Sequence, residues 1–286
     1  MGAGKVRAIF VAASLLLIGT HAEARTKSKL EANQLSMNVV GGYLIVVKGS
    51  IGDRHALNFL LDTGATTSVI DRKLAERLNL TTNSSQMVNF DKTVKTQWCV
   101  LPELVYGPER AANVKVVVED LRYLRASGAA VDGVIGWDLL RRHSFRIDFA
   151  NKRVVFGAIS ATEGHSVPFR ESSLCLIVPI DLDSRELWMI ADTGMRGAMF
   201  YESQLEATSY RRQASISGRT VSGNVESQIA LVPRLRLGTQ DLDRRVYVVR
   251  PPNSALLHGI AGYLGIASLN AKQVTFDLDR GVLSWQ

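Results

Sequence analysis

The residues whose type and spacing could do chemistry in this 286-residue chain are two aspartates in matched settings. Asp62 ends the apolar run Phe59-Leu60-Leu61 and opens the loop Thr63-Gly64-Ala65-Thr66-Thr67-Ser68. At a distance of 130 residues, Asp192 ends Trp188-Met189-Ile190-Ala191 and opens Thr193-Gly194-Met195-Arg196-Gly197. A carboxylate can serve as general acid or general base, provided the chain fixes where it points. A short apolar run bounded by glycine reads as a buried strand that delivers its last residue onto a tight loop. The glycine lets the backbone turn where a Cβ would clash, and the threonine hydroxyl can bond the loop backbone. A single Asp-Thr-Gly is a common solvated turn, so the information lies in the repetition.

The repetition extends to the elements that would position the loops. Gly133-Val134-Ile135-Gly136 is matched by Gly262-Tyr263-Leu264-Gly265, and Ile147-Asp148-Phe149 by Phe276-Asp277-Leu278, each at a spacing of 129 residues. Three landmarks at nearly one offset indicate an internal duplication. Its period is far longer than the roughly 20 to 50 residues of a solenoid repeat, so the duplicated unit is a whole lobe.

An Asp-Thr-Gly loop followed some 70 residues later by an apolar-apolar-Gly strand resembles a lobe of an aspartic protease. In detail each half is similar to retropepsin-like proteins, with Val131-Asp132-Gly133-Val134-Ile135-Gly136-Trp137-Asp138-Leu139-Leu140 the most diagnostic piece, while the covalent doubling is pepsin-like. The resemblance implies an all-β fold of two homologous β-barrel lobes related by a pseudo-twofold axis, with a few short helices. It places the first lobe at 35–158, a linker at 159–170 and the second lobe at 171–286. It implies Asp62 and Asp192 as the catalytic pair, with Thr63, Gly64, Thr193 and Gly194 supporting the loops. Val134, Ile135 and Gly136, and Tyr263, Leu264 and Gly265, would thread behind them. Two carboxylates about 3 Å apart share one proton, since both cannot ionise cheaply. The ionised partner then activates a water while the protonated one donates to the scissile carbonyl, without a covalent enzyme species, a metal or a cofactor. The interval 81–98 would carry a flap closing over substrate, here without glycine, and 213–228 offers room for a second hairpin.

The implied activity is that of an aspartic endopeptidase acting on peptide or protein substrates. Met195 and Arg196 depart from the small, hydroxyl-bearing pattern of Ala65-Thr66, which keeps open a peptide-binding module with impaired turnover. A homodimer of first lobes that bypasses Asp192 is a further variant; the doubling favours a monomer. Which aspartate holds the proton, the cleavage preference and the pH optimum are not in the sequence.

The remaining features set the context. Lys5 and Arg7, an apolar run from Ala8 to Gly19 and Ala22-Glu23-Ala24 read as a signal peptide over residues 1–24, with an uncleaved anchor as the other reading. Export to periplasm or medium follows as an expectation, with no stable membrane insertion once the leader is cut. The formal charge of +7 comes from dispersed basic pairs such as Arg141-Arg142, Arg211-Arg212 and Arg244-Arg245, which read as solvated surface rather than a nucleic-acid site. The histidines show no metal-ligand spacing and no Cys-x-x-Cys occurs. Cys99 and Cys175 read as two buried thiols, with a disulfide as the alternative. Asp71 is placed to cap a short helix carrying Leu74 and Leu78, the stretch from Leu121 to Gly128 reads as loop, and the turn Asn151-Lys152 suits a two-residue hairpin connection.

Overall fold

The computed structural model describes residues 33–89, 92–126, 128–159, 163–206, 208–220, 223–250 and 259–286. The expected signal peptide lies outside these residues. The fold is all-β, and among the described residues short helices form at Arg72–Arg77, Arg122–Ala126 and Trp137–Leu140, with 3-10 turns at Glu202–Gln204 and Ile266–Leu269.

Each aspartate closes a strand that runs parallel to a neighbour from far along the chain. Arg54–Leu61 pairs with Gly133–Ile135, setting Leu61 opposite Ile135, and Arg185–Asp192 pairs with Gly262–Gly265, setting Asp192 opposite Gly265. Each also has an antiparallel neighbour on its other side, Leu44–Ile51 and Leu176–Leu182, and an interior strand covered on both faces loses the alternation of a surface strand. Phe59, Leu60 and Leu61 are accordingly all buried, as are Met189, Ile190 and Ala191. Beyond the supporting strand the order continues alike in the two halves. Val69–Asp71 and Ala198–Tyr201 follow antiparallel, then Glu109–Glu119 and Arg245–Val249 parallel. Outermost in each half is a long hairpin, Asn83–Asn89 with Lys92–Tyr106 and Arg211–Thr220 with Gly223–Leu231. Their tips, 90–91 and 221–222, lie outside the described residues.

The halves are joined by a shared sheet. Phe145–Asp148 pairs with its own hairpin mate Arg153–Phe156 on one side and with Gln273–Asp277 of the other half on the other. Ile147 faces Val274 and Phe145 faces Phe276, whose rings stack at 4.5 Å between centroids. Burial of these four side chains at the junction stabilises it by about 1.5–3 kcal/mol each.

Several local expectations change. The connections of the closing hairpins are four residues long, not two. Asp148 Oδ1 accepts from Asn151 N at 3.0 Å and Asp277 Oδ1 from Arg280 N at 3.1 Å, and Lys152 and Gly281 take positive φ at the same place in each turn. An aspartate that bonds the backbone three residues on closes a wider turn than the Asn-Lys pair alone suggested. Within Leu121 to Gly128 the residues Arg122–Ala126 form a helix rather than loop, because Asp120 Oδ1 accepts from Arg122 N and Leu124 is buried beside Leu121. The stretch expected as linker holds a strand, His165–Pro168, at the outer edge of the shared sheet, where a proline is tolerated. Gly41 and Gly42, both at positive φ, separate the strands Gln34–Val40 and Leu44–Ile51. Asp71 does cap its helix, accepting from Lys73 N. Cys99 and Cys175 are buried and unpaired.

Candidate active site

The two loops are locked to each other through their threonines. Thr63 Oγ1 donates to Ala191 O at 2.7 Å and accepts from Thr193 N at 3.1 Å. Thr193 Oγ1 donates to Leu61 O at 2.8 Å and accepts from Thr63 N at 3.0 Å. Both side chains are buried, so all four bonds form away from water, where an unmade bond is costly. Each hydroxyl thus ties a residue of its own loop to the strand end that carries the opposite aspartate.

This grip brings the carboxylates of Asp62 and Asp192 together, close enough to hydrogen-bond. Gly64 and Gly194 make the approach possible. A Cβ on Gly64 would sit 2.5 Å from Asp192 Oδ2, and one on Gly194 would sit 2.6 Å from Asp62 Oδ2. No side chain fits at either position while the carboxylates stay where they are.

The pair is not symmetric. Asp62 is half-buried and accepts from two backbone donors, Gly64 N at 2.9 Å and Ala65 N at 3.2 Å. Asp192 is buried and accepts from Gly194 N at 2.6 Å. Burial raises both carboxyls above the ordinary range; bonds from Asp192, Gly64 and Ala65 hold Asp62 down. Burial followed by the charge of Asp62 drives Asp192 well above it. Two backbone donors favour the charged form at Asp62, and deeper burial with a single donor favours the protonated form at Asp192.

Behind the loops the glycines of the supporting strands meet backbone directly. A Cβ on Gly136 would lie 2.8 Å from Ala65 O, and one on Gly265 would lie 2.8 Å from Gly197 N. Val134 and Ile135 are buried behind the first loop, and Leu264 behind the second with Tyr263 half-buried beside it. In the first half a further brace appears that the motif reading did not single out. Ser68 Oγ donates to Asp138 Oδ1 at 2.7 Å and accepts from Gly136 N at 3.0 Å, while Ser68 N also donates to Asp138. The equivalent positions of the second half are Ala198 and Ala267, so hydroxyl and carboxylate are both replaced there by methyl groups. Gly265 N bonds Gly197 O instead, at 2.8 Å.

The departures in the second loop point away from the carboxylates. Met195 packs with Met199, Tyr201, Val225 and Val249. Arg196 crosses to the first half, where Nη2 donates to Gly41 O at 2.7 Å and the guanidinium lies over the Tyr43 ring at 5.6 Å. Tyr43 shares an apolar cluster with Tyr123 and Ala65, and burial together with the charges of Asp62 and Tyr43 raises the Tyr123 phenol.

Residues 47–139 match the family model described as Aspartyl protease. The matched span runs from before the first aspartate loop through Gly136 and Asp138, and supports an aspartyl-protease-like family and a protease or hydrolase activity at that coarse level. The all-β fold agrees with an aspartic-protease-like architecture. No curated protein matches the chain.

Proposed function

We propose that the protein is an exported aspartic endopeptidase in which Asp62 and Asp192, one from each half, activate a water between them. The reading is carried by one observation: reciprocal threonine bonds set the two loops face to face, with Gly64 against the Asp192 carboxylate and Gly194 against that of Asp62. An ionised Asp62 takes a proton from the water as it attacks the scissile carbon, and protonated Asp192 donates to the carbonyl oxygen, giving a neutral tetrahedral intermediate. When the intermediate collapses, the C–N bond breaks as the proton gained by Asp62 passes to the leaving amine, and ionised Asp192 takes a proton from a hydroxyl of the intermediate, which leaves the acid product and restores both carboxyls. The paired threonines hold the carboxylates in register, so little reorganisation accompanies the reaction. The hairpins Asn83–Asn89 with Lys92–Tyr106 and Arg211–Thr220 with Gly223–Leu231 occupy the place of flaps, and an extended peptide lies between them and the dyad. The apolar run near the N terminus supports export to periplasm or medium, and both aspartate loops lying in one chain support a monomer.

The test is cleavage of a peptide library across about pH 3 to 8 by the mature chain, beside Asp62→Asn and Asp192→Asn, with a transition-state-mimicking inhibitor as control. Cleavage by the wild type alone, blocked by the inhibitor, is the expected result. Peptide binding without cleavage would overturn it in favour of an inactive binding module. Loss in Asp62→Asn only would mean that the first half finds its partner in another chain.

A further inference from the structure

The loop after Asp192 carries a cation that the reaction does not use. Arg196 is exposed, yet its guanidinium is held in place by a 2.7 Å bond to Gly41 O and by the ring of Tyr43 beneath it. Gly42 leaves room for it: a Cβ there would stand 3.2 Å from Nη2. The carbonyl takes one of five N–H donors and carries no net charge, so the positive charge is not neutralised. Among the described residues ten ion pairs form, and Arg196 is in none of them. Its surroundings in the first half, Gly41, Gly42 and Tyr43, hold no acid.

Its position relates it to the dyad from both sides. Arg196 is four residues beyond Asp192, and Tyr43 beneath it belongs to the cluster of Tyr123 and Ala65 beside Asp62. The corresponding position in the first loop is Thr66, also exposed and neutral. The loop after Asp192 is therefore cationic at this position and the loop after Asp62 is not.

We infer that Arg196 is a specificity-determining residue that selects an acidic side chain on one side of the scissile bond. This rests on the endopeptidase reading for the substrate class. A planar fork already fixed by a backbone bond and a ring loses little freedom on pairing with a carboxylate, and its remaining donors suit that geometry. Charge-assisted bonds of this kind discriminate Glu from its isostere Gln, whose size and shape are the same.

Matched peptides differing only in Glu or Gln at each position flanking the cleavage site are compared on the full mature chain, by kcat/KM with the wild type and by fluorescence anisotropy with inactive Asp62→Asn. A Glu-over-Gln selectivity of about ten-fold at one position, on one side only, is expected, the size of one partly exposed charge-assisted bond. Arg196→Gln removes the selectivity, and Arg196→Glu reverses it towards Lys. Equal selectivity in wild type and Arg196→Gln, or an acidic preference spread evenly over both sides, would overturn the inference. A fall in urea midpoint with unaltered selectivity would leave Arg196 a tie between the halves and nothing more. If no peptide is cut, the endopeptidase reading fails by itself, and the anisotropy ratio still decides whether Arg196 selects acidic peptides.

Discussion

Replacing Thr63 by Val tests the loop grip at nearly constant volume. The hydroxyl is fully buried, donates to Ala191 O and accepts from Thr193 N, so the substitution leaves the Thr193 N–H without its acceptor and the carbonyl without this donor. An unpaired buried N–H costs about 1–3 kcal/mol and the lost bond to the carbonyl about 1 kcal/mol more, giving about 2–4 kcal/mol in all. Against a total stability of roughly 5–15 kcal/mol that is a large fraction, and it lowers a urea midpoint by about 1 M at the slopes usual for a chain of this size. Thr63→Ser keeps the hydroxyl and should recover most of the loss, while Thr193→Val should match Thr63→Val. The two hydroxyls share no bond with each other, so the double variant reports whether the loops stay together after the first is cut; a cost well below the sum means that they separate. Peptide cleavage should fall with the midpoint in Thr63→Val, because the strand end at Ala191 positions Asp192. A midpoint within about 0.2 M of wild type, far below the shift worked from an unmade buried bond, would refute the reasoning.

Other outcomes follow from the same site. Gly64→Ala drives a methyl into Asp192 and should reduce kcat by at least about 100-fold, as displacements near 1 Å do, measured on a peptide the wild type cuts. Asp192→Asn should become more stable relative to wild type as pH rises. The raised carboxyl of Asp192 keeps its proton in the folded chain after the unfolded chain has released it, so wild-type stability declines from the ordinary carboxylate range up through the folded value. Urea midpoints of the two proteins should converge near pH 4 and diverge above it, and a constant gap would contradict the assignment. Burial raises both thiols, Cys99 and Cys175, so neither should react with an aromatic disulfide reagent in the native protein, whereas both should in urea without reductant.

Much of the site was legible because the chain states it twice. An isolated Asp-Thr-Gly at 62–64 carries little, but its repetition at 192–194, with glycines at 136 and 265 holding nearly the same offset, marks backbone that passes too close to a loop for any Cβ. The four-residue turns at Asp148 and Asp277 repeat as well, yet the first was misread, since Asn151-Lys152 looked sufficient and the capping carboxylate stands outside that pair. Ser68 and Asp138 were visible as letters but not as partners. They lie 70 residues apart, and only the antiparallel pairing of Val69 with Val134 brings them together. In hindsight the joint replacement by Ala198 and Ala267 is a trace of that contact. Arg196 was legible as a cation near the dyad, whereas its direction depended on Gly41 and Tyr43, more than 150 residues upstream. The unequal surroundings of the two carboxyls depend on the backbone donors at each, which no motif encodes.

The sheet shared by the two halves has a consequence for how the molecule can move. Phe145–Asp148 and Gln273–Asp277 are joined rung by rung, with Phe145 stacked on Phe276, so this shared floor has no seam at which to swing open. On the endopeptidase reading, the elements free to admit a peptide are the two long hairpins, whose outer strands have one neighbour each. Amide exchange should be slowest along the floor and fastest towards the hairpin ends, with the loops bearing Asp62 and Asp192 grouped with the floor. The two aspartate loops, tied by their buried threonines, would then stay fixed while the hairpins move.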